Sequence, residues 1–125
     1  MIHLDTSFLI RALVPRSIEG RRLRGWLRRR EPIRISSIAW AEFLCGPVAP
    51  LVVEEVAEAT GEPAPFAAVD AMLAAELFNA CGRRRGSLPD CMIAAVALHD
   101  GAILATSNRA DFRRFSAFGL TLAGA

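Results

Sequence analysis

Four acidic residues sit in settings that suit metal chemistry. Asp5 closes the short apolar run Ile2-His3-Leu4 and is followed by Thr6-Ser7, either of which could cap the next helix without it. Glu42 is an isolated acid among Trp40, Ala41, Phe43 and Leu44. Asp90 follows Pro89 and opens into the apolar stretch Cys91-Met92-Ile93-Ala94-Ala95. Asp111 lies in a polar segment with Asn108, which is either an alternative to it or a partner that orients it. Carboxylates gathered in one place raise one another's pKa and cost stability unless a proton or a cation compensates. A hard divalent ion, Mg²⁺ or Mn²⁺, is the economical compensation, because it prefers carboxylate and water oxygens. Such an ion can lower the pKa of a bound water, orient it for in-line attack and neutralise charge building on a phosphodiester. Phosphoryl chemistry on nucleic acid fits such a site.

Each acid also has a plain structural alternative. Asp5 could simply cap a helix, Glu42 could be a solvated helix residue, Asp90 could start a helix favoured by the macrodipole, and Asn108 with Asp111 could make a capped turn. What argues for a site is their convergence, and that depends on the elements that carry them.

The spacing predicts a strand at Ile2 to Leu4, a helix from Phe8 to Val14 and an amphipathic helix from Ser17 to Arg30. Ile33-Arg34-Ile35 alternates as a second strand, and Ser36 or Ser37 can cap a helix running to about Cys45. A helix over Pro50 to Ala59, a turn-rich loop over 60–65 and an alanine-rich helix from Phe66 to Cys81 follow. Asp90 to Asp100 reads as a helix, Ala102 to Ala105 as a buried strand and Leu120 to Leu122 as a last strand. Strands separated by helices pair in parallel, which predicts a single α/β domain of three layers, α/β/α, with a central parallel sheet over residues 1–125. Ligands of such sheets bind beyond the carboxyl ends of the strands. Asp5 and the segment from Thr106 to Asp111 fall on that rim, and Glu42 and Asp90 are expected in the first turns of helices beginning on the same side.

Composition narrows the surroundings. The three cysteines, Cys45, Cys81 and Cys91, form no C-x-x-C pair and read as small buried hydrophobes of a reducing compartment. His3 and His99 are too few and too distant for a zinc set, so any metal must be held by oxygen. The chain has no apolar run of membrane-spanning length and no export signal at its start, so a cytoplasmic protein is expected. All 15 basic residues are arginine, and nine of them crowd into Arg21-Arg22, Arg24, Arg28-Arg29-Arg30 and Arg83-Arg84-Arg85. Forked donors in clusters make a polyanion partner reasonable, and Arg83 to Arg85, just ahead of Asp90, could rim a groove that receives RNA. Asp70 and Asp100 read as surface acids. There is no G-x-x-x-x-G-K-[ST] loop and no G-x-G-x-x-G turn, and the absence of lysine removes a phosphoacceptor receiver domain.

Four blocks together resemble the PIN-domain ribonucleases, in particular the VapC-type toxins of prokaryotic toxin–antitoxin pairs. They are Ile2-His3-Leu4-Asp5-Thr6-Ser7, Ser36-Ser37-Ile38-Ala39-Trp40-Ala41-Glu42-Phe43, Pro89-Asp90-Cys91-Met92-Ile93-Ala94-Ala95 and Ala105-Thr106-Ser107-Asn108-Arg109-Ala110-Asp111-Phe112. The likeness spans essentially the whole chain, in order. It implies a Mg²⁺-dependent endoribonuclease that cuts structured RNA such as tRNA or ribosomal RNA, is silenced by a cognate antitoxin filling the active-site groove, and pairs into a homodimer. Asp5, Glu42 and Asp90 match the regular acidic ligands and Asp111 the less regular fourth. Thr6 and Thr106 match hydroxyl positions beside the site. A PIN-like module that binds RNA or protein without cutting is the alternative.

Overall fold

β1 (Ile2–Leu4) is the middle strand of the sheet, paired in parallel with β2 (Ile33–Ile35) on one side and β3 (Ile103–Ala105) on the other. The computed structural model describes residues 1–124. Around the sheet run α1 (Thr6–Ala12), α2 (Ile18–Arg28), α3 (Ser37–Cys45), α4 (Pro50–Thr60), α5 (Ala68–Ala80), α6 (Leu88–His99) and α7 (Arg109–Arg113), then a 3₁₀ turn over Ser116–Phe118. Helices cover both faces of the parallel sheet, giving the three-layer α/β/α arrangement.

Local chemistry starts the helices where the sequence placed polar residues. The side chains of Asp5, Ser17 and Ser36 accept from the backbone N–H groups of Phe8, Gly20 and Ala39, so α1, α2 and α3 each begin with one orphan donor satisfied. Gly20 lets α2 approach the end of α1, since a Cβ there would lie 2.8 Å from the Ala12 carbonyl oxygen.

Side chains alternate across β1, so its two faces meet different helices. Leu4 lines a cavity of about 190 Å³ with Leu9, Leu23, Leu27 and Val56 from α1, α2 and α4. His3 meets the end of α6, where its Nε2 lies 2.7 Å from Asp100 Oδ2. The Arg34 guanidinium donates to the same oxygen at 2.9 Å, so one carboxylate ties the undersides of β1 and β2 to α6. Burial holds the His3 pKa below its ordinary value despite that partner.

Several expectations are corrected. Leu120 to Leu122 forms no strand: after the left-handed turn at Gly119, Leu104 exchanges two backbone bonds with Thr121 and Ala123, a single bridge at Leu122. α1 begins at Thr6 because Asp5 itself caps it, α5 at Ala68 and α6 at Leu88. Asp70 is not a surface acid; it is buried, accepts from the Ala67 N–H at 2.7 Å and pairs with His99 across α5 and α6. Asp100 is half-buried and shared by His3 and Arg34. Of the cysteines only Cys91 is buried; Cys45, on the last turn of α3, is exposed and Cys81 is intermediate.

Candidate metal centre

Asp5 is the residue next after β1, and it is only 3% exposed. Its carboxylate is held by three donors: the Phe8 N–H at 2.9 Å and the Ser7 hydroxyl at 2.8 Å on one oxygen, and the Thr106 hydroxyl at 2.7 Å on the other. Those bonds favour the charged form, but burial outweighs them and the net displacement of its pKa is upward. Thr106 in turn accepts from the Asn108 N–H at 2.9 Å, and Ser7 accepts from the Ser107 N–H at 3.1 Å. The end of β1 and the loop after β3 are therefore stitched together through the carboxylate.

Glu42 lies in the second turn of α3, one turn later than expected, and is exposed. Thr6 donates to it at 2.8 Å and also reaches the Ala39 carbonyl at 3.3 Å, so α1 fixes the carboxylate that α3 carries. Asp111 in α7 accepts from the Asn108 side-chain amide at 2.7 Å, the orienting contact that was one of two options for Asn108. Asp90, third residue of α6, has its pKa pushed up to about 6, first by burial and then by the charges of Asp111, Asp5 and Glu42, with Arg114 opposing. Four carboxylates from four remote segments thus share one field.

As they lie, no three acid, histidine or cysteine side chains among the described residues are close enough to grip an ion together. The donor set nevertheless fits a hard divalent cation: it is all oxygen, and Asp90 shows the mutual repulsion such an ion relieves. The sign of the Asp90 shift has a consequence for stability. A carboxyl whose folded pKa is raised from 3.8 to about 6 favours folding below 3.8 and loses that contribution as pH climbs through 6. Ionised Asp90 therefore costs stability at pH 7 in the metal-free protein, about 1 kcal/mol once its partial exposure is allowed for. In EDTA, Asp90→Asn is expected to melt a few degrees above wild type at pH 7, with the gap narrowing toward pH 4. Equal melting curves at pH 7 would mean that neither burial nor the neighbouring acids penalise ionised Asp90.

The arginines are placed less simply. Arg84 lies 3.6 Å from Asp111. Arg83 stacks on Phe78, 5.5 Å from the ring centroid, and donates to Asn79. Arg85 is exposed. The left-handed backbone of Gly82, Arg83 and Gly86 bends this loop back toward α7. Beside Glu42 opens a mainly apolar groove of about 490 Å³, lined by Ile10, Leu13, Phe43, Val48, Val52 and Glu55.

Some contributors escaped sequence reasoning. Ser7 was legible only as a capping residue, yet it grips Asp5. Glu19, in the first turn of α2, accepts from the Ser107 hydroxyl at 3.1 Å. Arg114 carried no signal in a chain crowded with arginine.

Residues 2–117 match the PIN domain, and the chain belongs to that family. Solved structures of the same fold include VapBC2 of Rickettsia felis bound to a promoter DNA fragment (24% identity, TM-score 0.77, 98% of each chain covered). DNA-bound VapBC of Salmonella typhimurium is similar at 23% identity and TM-score 0.78, over 98% of this chain and 96% of that one. A toxin–antitoxin complex of Klebsiella pneumoniae is similar at 22% identity and TM-score 0.75, over 98% and 97%. At these identities the likeness is one of fold. No curated protein matches the sequence.

Proposed function

We propose that this chain is a Mg²⁺- or Mn²⁺-dependent endoribonuclease acting on cellular RNA of the tRNA or rRNA class, and the toxin of a type II toxin–antitoxin pair in the cytoplasm. The observation that carries the reading is the gathering of Asp5, Glu42, Asp90 and Asp111 into one field, which adds to burial in raising the Asp90 pKa to about 6. These four residues would hold the ion. A bound divalent ion supplies Lewis acidity at a phosphodiester and a means of orienting an attacking water.

The chain's own residues do the preparatory work. Ser7 and Thr106 hold the Asp5 carboxylate, Thr6 holds Glu42, and Asn108 holds Asp111, so these three acids would meet the ion already oriented. Arg83 to Arg85 sit on the loop leading to Asp90, where positive charge favours an approaching polyanion.

Similar structures are toxin–antitoxin complexes, which supports an antitoxin partner. The apolar groove beside Glu42 suits its docking segment, because a peptide laid there would end at the carboxylates. Exposed Ile18, Leu27 and Leu51 on α2 and α4 support a homodimer.

The test is purified, partner-free protein incubated with total RNA. Discrete cleavage products are expected with Mg²⁺ or Mn²⁺ and none with EDTA; RNA left intact under all conditions would leave only a binding module.

A further inference from the structure

Arg114 caps the C-terminus of α7, three residues after Asp111. Its guanidinium lies over the Phe115 ring, 4.6 Å from the centroid. Nε, Nη1 and Nη2 are all buried, and none has a hydrogen-bond partner among the described residues. None of the ion pairs among those residues involves it either. Its charge nonetheless acts on both Asp90 and Cys91.

A buried cation without a partner costs several kcal/mol. Most ionisable groups escape by changing protonation, as a buried lysine does, but a guanidinium keeps its proton. The face of the Phe115 ring offsets part of the cost, and a field of opposite charge can offset more, which the Asp90 carboxylate and the acids gathered with it supply. The relation runs both ways. Four ionised acids carry four negative charges; a divalent ion cancels two, and the remainder would repel a phosphodiester. Because the guanidinium is shut off from solvent, salt screens it far less than it screens the surface arginines.

We propose that Arg114 is the interior counter-charge of the metal centre: acting through its field and not by contact, it loosens the grip of the acids on the divalent ion and lowers the negative charge that incoming RNA meets. Its role is to position charge, and it rests on the metal reading above. Arg84, 3.6 Å from Asp111, is its exposed complement.

The two effects have opposite signs, which damage to the fold would not produce. Mn²⁺ binding is measured by calorimetry at pH 7, and binding of a fluorescent RNA oligonucleotide by anisotropy in EDTA, where nothing is cut. Arg114→Met is expected to bind Mn²⁺ about tenfold tighter, as a Coulomb term of order 1 kcal/mol predicts, and RNA several-fold more weakly. Arg114→Gln, which keeps a polar end, should shift both affinities the same way and serves if the Met variant does not fold. Mn²⁺ affinity equal to or below wild type in the folded variant would overturn the assignment while leaving the metal site standing. A wild-type protein that binds no Mn²⁺ would overturn both.

Discussion

Asp5→Asn is expected to lower metal-dependent RNA cleavage by about 10³-fold or more while leaving the fold intact. The loss follows from the position: Asp5 is the most buried of the four acids and the one held by three donors, so its charge is the least replaceable by water. An ion contributes several kcal/mol of charge stabilisation at the transition state, and each ~1.4 kcal/mol is a factor of ten in rate. Stability should move little because two effects oppose. Asparagine keeps an oxygen for the Phe8 and Ser7 donors but turns an N–H₂ toward the Thr106 hydroxyl, which must rotate to accept. Against that, the cost of burying an ion disappears, the same cost that pushes the Asp5 pKa upward. Cleavage assays and thermal melts on the same preparation decide it; activity within about tenfold of wild type would mean that Asp5 is only a helix cap.

Phe112→Ala should give the largest loss of stability. Phe112 is 1% exposed and meets Phe115 edge-on, with centroids 6.0 Å apart and planes at 71°. Removing a buried phenyl ring costs about 3–5 kcal/mol, a large share of the ~5–15 kcal/mol that holds a domain together. For a chain of this size that is a drop of roughly 10–20 °C in Tm. The functional consequence is sharper than the thermal one. α7 is five residues long and cannot persist without tertiary support, and it presents Asp111 and ends at Arg114. At a temperature where the variant is still folded, Mn²⁺ affinity should fall because the fourth carboxylate is no longer fixed. A melting point within about 3 °C of wild type would show that α7 is anchored elsewhere.

The legible part of the fold is the part decided locally. Ile2 to Leu4 and Ile33 to Ile35 are short apolar runs bounded by polar or turn-forming residues, and of the two serines that could cap α3 it is Ser36 that does. Leu120 to Leu122 has the same local character as those strands, but only one residue of it meets β3, and no local signal distinguishes a bridge from a strand. Asp70 and Asp100 read as surface acids because their partners, His99, His3 and Arg34, are 29 or more positions away. The site divides in the same way. Asp5 and Asp111 follow strands, so their presence on one rim was readable. Glu42 was expected a turn too early, although the capping serine already implied a helix start at which residue 42 falls in the second turn. The long-range grip of Thr106 on Asp5 was visible only as a likeness to other chains, and Arg114 not at all, since burial is a property of the folded molecule.

The bond from Thr106 to Asp5 spans 101 positions, and β1 cannot take its central place until β3 exists to pair with it. During synthesis, then, Asp5 emerges first and waits. Glu42 and Asp90 follow, but no centre can close until residues 103–111 have been made, because the donor that holds Asp5 and the fourth carboxylate both come from that stretch. For a protein whose proposed substrate is RNA, and whose own manufacture takes place on a machine built of RNA, that ordering defers the hazard until the segment after β3 is available to fold.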